Sequence, residues 1–197
     1  KSYDWVMGCP VETSVGLKIP ISKLNKLKKR CKAKLALDAT ASIGLEKDHD
    51  LADVLGYSSC KGLFGLTGAS FIAYNSDPKN SVKSFYMDIN THINKKLTGP
   101  YHTIGSLYHV LKNYNKFKNA VKKNKLKFLK DNYRSLIYPR KNQPLLCTYS
   151  KIKYKNKSKK VIIYKSRKKI EGCVVSHLGE TYLKNNAKGL IQKYLLK

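Results

Sequence analysis

Apolar and polar positions alternate along this chain with two different periods, and the switches between them outline its elements. "DWVMGCPVET" (residues 4–13) reads as a strand running into a loop. In "ISKLNKLKKRCK" the residues Ile21, Leu24, Leu27 and Cys31 share one face and lysines take the other, the pattern of an amphipathic helix. "KLALD" is a short buried strand ending on an acid, and "DVLGYSS" and "ASFIAYN" are further strands separated by the Gly-rich "KGLFGLTG". Strand–helix–strand alternation of this kind predicts an α/β fold with a largely parallel sheet. Residues 79–100 read mostly as loop. From His102 to about Tyr133, apolar residues at Ile104, Leu107, Leu111, Tyr114, Phe117 and Val121 predict one long helix or two in series. "PLLCTYSKIKY" and "KKVIIYKS" are strands of a smaller unit, and "ETYLKNNAKGLIQKYLLK" is a closing helix. The change of pattern near Arg140–Pro144 divides the chain into 1–140 and 141–197.

Composition narrows the class. The 197 residues are 42% hydrophobic and 10% aromatic, enough for a substantial core. No apolar run approaches the roughly 18–20 residues a membrane-spanning helix needs. Five scattered cysteines, with no C-x-x-C pair, suggest neither a disulfide framework nor a zinc site and fit a reducing, cytoplasmic setting. The net charge of +28 invites a nucleic-acid reading. Yet of 40 basic residues only Arg30, Arg134, Arg140 and Arg167 are arginine, the residue whose planar fork recognises bases and phosphates. The lysines are spread along the chain, as an AT-rich coding bias and solvated helix faces would spread them, so no specific nucleic-acid partner is expected. The first residue is Lys1 and the chain enters an apolar segment almost at once, which reads as a start inside a fold.

Against this charge, residues 51–74 stand out, because only Asp53 and Lys61 are charged there. Asp38 closes the strand "KLALD", and ligands of open α/β sheets bind beyond the carboxyl ends of strands. An acid in that place calls for a partner, and a cationic ring nitrogen is one that suits it. Lys61 follows another strand among small residues, where restricted solvent would turn an ammonium into a usable amine nucleophile. Gly62, Gly65 and Gly68 let the backbone turn tightly beside a ligand. Their spacing fits neither a P-loop nor a dinucleotide fingerprint. The residues alone leave two readings open: a Schiff-base lysine, or a surface lysine in a Gly-rich turn.

The order "ETSVG", "DATASIG", "SSCKGLFGLTGASFIAY" resembles the class V, fold-type I pyridoxal-phosphate aminotransferases, in particular the group with 2-aminoethylphosphonate–pyruvate and alanine–glyoxylate transaminases. "LTGPYHTIGSLYHVL" and "VIIYKSRKKIEGCVVSHLGE" resemble later elements of that family, so the likeness runs from about Asp4 to the C-terminus. It implies the C-terminal part of a large domain, mainly parallel sheet with helices, over residues 1–140, followed by a small α+β domain over 141–197. It implies pyridoxal 5'-phosphate as cofactor and no metal. Lys61 would bind the cofactor covalently and shuttle a proton, and Asp38 would keep the pyridine nitrogen protonated. Thr13 would lie near the ring or the substrate. Thr98 would reach the phosphate of a neighbouring subunit, since these sites form across a homodimer. His102 is a further phosphate-side candidate, with a plain helix-start histidine as the alternative.

Three departures qualify the resemblance. The family's N-terminal half, with its phosphate cradle and ring-stacking aromatic, is absent. The family's arginine for the substrate carboxylate falls on Val174, leaving His177 or Arg167 as substitutes. The residue before the lysine, often a polar phosphate contact, is Cys60. The expected activity is transfer of an amino group from a small amine, such as 2-aminoethylphosphonate or an amino acid, to pyruvate or a similar keto acid. The alternatives are a diverged member without transaminase activity and a basic polyanion-binding module.

Overall fold

The computed structural model describes residues 2–95, 99–153, 163–167 and 171–182. A four-stranded sheet has the order β1-β4-β5-β6, formed by β1 (Trp5–Gly8), β4 (Lys34–Asp38), β5 (Val54–Ser58) and β6 (Ser70–Tyr74). β1, β4 and β5 run parallel, with Met7 beside Ala36 and Ala36 beside Val54, while β6 pairs antiparallel to β5. The sheet is thus mixed and mostly parallel, as the alternating pattern predicts. Parallel neighbours need a crossover, and α1 (Ile21–Cys31) supplies it between β1 and β4. Lys28, Lys29 and Arg30 crowd its last turn, where cations suit the helix dipole. Its Ile21 and Leu24 pack on Leu35, Leu37 and Ala52. Leu27, expected on the buried face, is 44% exposed. Asp53 ties the layers together, accepting from Leu35 N and pairing with Lys28 Nζ, both at 2.7 Å. A short antiparallel pair, β2 (Val11–Glu12) and β3 (Leu17–Lys18), follows β1.

The stretch 79–100, read as loop, contains the helix α2 (Ile89–Lys95). Asp88 fastens its start by accepting from Thr91 N at 2.9 Å and Thr91 Oγ1 at 2.6 Å. This is a local cap that apolar periodicity does not register. The next helical region is two helices in series, α3 (Tyr101–Lys112) and α4 (Tyr114–Asn132), which meet at Asn113. The smaller sheet is antiparallel with the order β7-β9-β8, from β7 (Cys147–Ser150), β8 (Ile163–Lys165) and β9 (Cys173–Ser176). β9, the central strand, is not among the strands that the sequence pattern predicts. It leads into α5 (His177–Tyr182), and the rest of the expected closing helix lies outside the described residues.

One core cluster explains how the future site is held. Val11, Ala41, Leu45, Phe64, Val121 and Leu146 pack together. They come from the β2 strand, the segment after β4, the loop after β5, helix α4 and the approach to β7. The loops at the ends of three strands are therefore anchored to one apolar knot rather than to solvent.

Candidate active site

Three loop segments meet at the carboxyl ends of β1, β4 and β5. The first is a 3-10 turn, Thr13–Val15, whose entry is capped by Glu12 accepting from Ser14 N at 2.8 Å. Those bonds from Ser14 hold the Glu12 carboxyl below its ordinary range, with smaller help from Lys61 and Arg167. The second is the exposed end of β4, where Asp38 Oδ1 accepts from Thr40 N at 3.0 Å. The third is the loop after β5, where Lys61 begins a 3-10 turn. Its Nζ donates to Thr13 Oγ1 at 3.2 Å across 48 residues of sequence. Cys9 lies among them. Burial is the main influence raising its thiol, the Asp38 and Glu12 carboxylates add to it, and Lys61 opposes it. The Lys61 amine and the Thr13 hydroxyl are in contact, and the Lys61, Asp38 and Glu12 charges all act on Cys9.

The structure gives the Gly-rich loop a reason different from the one its sequence suggests. A methyl group at Gly62 would lie 2.6 Å from Ile43 O, and one at Gly65 would lie 2.8 Å from Leu107 Cδ2 and 2.9 Å from Ser59 O. These glycines make room for neighbouring protein, not for a ligand. The loop is fastened from inside: buried Ser59 Oγ donates to Leu66 O at 2.5 Å and accepts from Ala69 N at 3.2 Å, and Tyr114 Oη donates to Gly62 O at 3.0 Å. Gly62→Ala is therefore expected to cost about 1–3 kcal/mol in chemical denaturation, because the clash is with backbone. Gly105→Ala, in α3 with open space around it, is expected to add about 0.5–1 kcal/mol. Lys61 itself has φ 49°, left-handed backbone that a side chain adopts at a cost.

Lys61 and Thr13 are in contact, and Asp38 acts with Lys61 on the intervening Cys9, but Lys61 is exposed, not shielded as its sequence neighbourhood suggests, and so is Asp38. Thr98 lies outside the described residues. His102 is exposed near the start of α3, edge-on to Tyr101. His177 is fully buried, with Nε2 2.9 Å from Thr148 Oγ1 and its ring against Phe128, so it belongs to the core. Val174 is equally buried, packed with Cys147 and Tyr149 in the small sheet. Arg167 does reach the site: its N donates to Ser14 O at 3.3 Å, and its charge favours the Glu12 carboxylate. Tyr164 is the participant the sequence did not reveal. Its hydroxyl donates to Thr13 O at 2.6 Å from 151 residues away, a separation no local motif encodes. Among the described residues no group of three or more His, Cys, Asp or Glu could hold a metal ion, and no helix is long and apolar enough to cross a membrane.

By sequence the chain matches no protein-family model and no curated protein. Its structure does find counterparts. It superposes on alanine–glyoxylate aminotransferase from Nostoc sp. with a TM-score of 0.74 at 19% identity, covering 95% of this chain and 60% of that one. Ureidoglycine–glyoxylate aminotransferase from Bacillus subtilis gives 0.72 at 16% identity, with 96% and 58% covered. Phosphoserine aminotransferase from Cytophaga hutchinsonii gives 0.67 at 14% identity, with 96% and 62% covered. The chain has the fold-type I transferase fold. It spans about three-fifths of the length of these structures.

Proposed function

We propose that this chain carries the lysine-bearing part of a pyridoxal-phosphate-dependent aminotransferase. It would act in a homodimer, together with an N-terminal segment that completes the cofactor cradle. The observation that carries this reading is the Lys61 Nζ–Thr13 Oγ1 contact, formed beside Asp38 at the ends of parallel strands. The donor set fits the cofactor. Asp38 is exposed, and Thr40 N engages its Oδ1, which leaves the carboxylate able to hold a proton on a ring nitrogen. Pyridoxal phosphate, when bound, supplies an aldehyde for an amine and a ring that accepts electron density from the substrate Cα. Lys61 would supply that amine and would also be the base that moves the proton at the substrate Cα. The Thr13 hydroxyl accepts from Nζ and orients it. Thr98 contributes to the phosphate side in this reading.

The acceptor is pyruvate or a similar keto acid, and the donor a small amine such as 2-aminoethylphosphonate or an amino acid. Burial of Val174 and His177 removes both from substrate contact, and Arg167, beside the Thr13–Val15 turn, remains as the nearby guanidinium for an anionic group. The reading is tested by incubating the protein with pyridoxal phosphate, reducing with borohydride, and mapping the modified peptides. One dominant adduct at Lys61 is expected. Labelling spread over the many surface lysines, with no preference for Lys61, would sink it.

A further inference from the structure

The small sheet reaches into the site through one strand. Tyr164, in β8, donates its hydroxyl to Thr13 O at 2.6 Å, and Arg167, just beyond β8, donates its N to Ser14 O at 3.3 Å. Two successive carbonyls of the turn are therefore gripped from the same short segment. Thr13 O also accepts from Gly16 N at 3.3 Å and from Cys147 Sγ at 3.9 Å. The side chain of that same threonine receives Lys61 Nζ. The turn is three residues long, so holding its first carbonyl restrains the Thr13 backbone from which Oγ1 projects. Gly16 N and the β2–β3 pair hold the turn locally, and the Tyr164 hydroxyl makes the shortest of the bonds described to Thr13 O. That bond comes from a strand that packs in a different sheet.

We propose that Tyr164 is a positioning residue for Lys61, acting through Thr13. The proposal rests on reading Lys61 as the site's reactive amine, but not on any cofactor being bound. Tyr164 touches no reacting atom. Its hydroxyl holds the Thr13 backbone, Thr13 Oγ1 then holds Nζ, and the small sheet thereby sets where the amine lies relative to Asp38. Burial raises the phenol's ionisation well above the ordinary tyrosine value, so the hydroxyl stays a donor throughout the neutral range.

The test uses the free protein and the acylation rate of Lys61, followed across pH by peptide mass spectrometry, with exposed Lys23 in the same digest as reference. Thr13→Val is expected to raise the Lys61 rate about two- to ten-fold, the worth of one hydrogen bond. Tyr164→Phe, which removes a single oxygen, is expected to raise it at least about two-fold. The double variant is expected to match Thr13→Val alone, because both act through one contact. A Lys61 profile unchanged by Tyr164→Phe, or effects of the two substitutions that simply multiply, would overturn the proposal. A second measurement needs no variant. The Gly16 amide, which shares Thr13 O, is expected to exchange with solvent as slowly as the strands of the small sheet, and exchange at open-loop rates would equally overturn it. Because neither measurement involves pyridoxal phosphate, a failure to form the Lys61 adduct would count against the aminotransferase reading and leave these outcomes intact.

Discussion

Replacing Lys61 with glycine is expected to abolish the borohydride-stable adduct and, at the same time, to make the protein more stable by about 1 kcal/mol. The two effects have separate causes. The adduct needs a primary amine at the ends of the parallel strands, and Lys61 Nζ, 3.2 Å from Thr13 Oγ1, is the amine located there. The stability gain comes from the backbone. Lys61 has φ 49°, where a side chain crowds the neighbouring carbonyl and glycine does not. Since the side chain is exposed, its removal forfeits little packing. Lys61→Ala separates the two, because it loses the adduct and keeps the strained backbone, so its denaturation midpoint should stay near that of the wild type. A residue that costs stability where it stands, at the meeting point of three loops, is what a functional role would maintain. If Lys61→Gly and Lys61→Ala proved equally stable, the strain argument would fail while the adduct argument stood.

The second large effect is expected at Lys125. This residue of α4 is 7% exposed, and its Nζ donates to Pro144 O at the approach to β7. Burial is the dominant influence and lowers its ammonium from 10.5 to about 8, with the Cys147 and Glu46 charges pulling the other way. The folded state therefore binds fewer protons than the unfolded chain between about pH 8 and pH 10.5, and stability rises with pH across that window. Below it the full penalty of the buried charge is present. Above it the lysine is neutral in both states and the penalty is gone. The total swing is about 3 kcal/mol. Other groups act in the opposite sense. Burial pushes the Cys147 and Cys173 thiols up to about 12, so their titration lowers stability as pH rises beyond the ordinary thiol range. The measurement is thus a difference: unfolding free energy of wild type minus that of Lys125→Met, taken by denaturant titration from pH 7 to 10.5. That difference should climb by about 3 kcal/mol in favour of the wild type. A flat difference would show that Lys125 stays charged, or stays hydrated, in the folded protein.

How much of this was legible beforehand depends on the range of the interaction involved. "KLALD" became β4 with the same ends, because alternating apolar residues and a terminal acid are properties of five consecutive positions. α1 was equally local, though Leu27 faces solvent, since an apolar stripe does not say how wide the covering partner is. α2 is not legible in apolar spacing because its start is set by the Asp88–Thr91 cap. β9 is not legible there either, because Cys173–Ser176 becomes a strand only by lying between β7 and β8.

The site divides along the same line. The sequence by itself marked the candidates, Lys61 in a charge-poor stretch and Asp38 at a strand end, and the family resemblance added Thr13. Only the tertiary structure decided their arrangement. It put Lys61 Nζ on Thr13 Oγ1, assigned Gly62 and Gly65 to protein packing, and sent His177 and Val174 into the core. It also brought Tyr164 and Arg167 of the small sheet against the turn that holds Thr13. The physical reason is that side-chain chemistry and short-period burial are encoded within a few residues. A hydrogen bond spanning 151 residues exists only after distant segments of the chain have packed together.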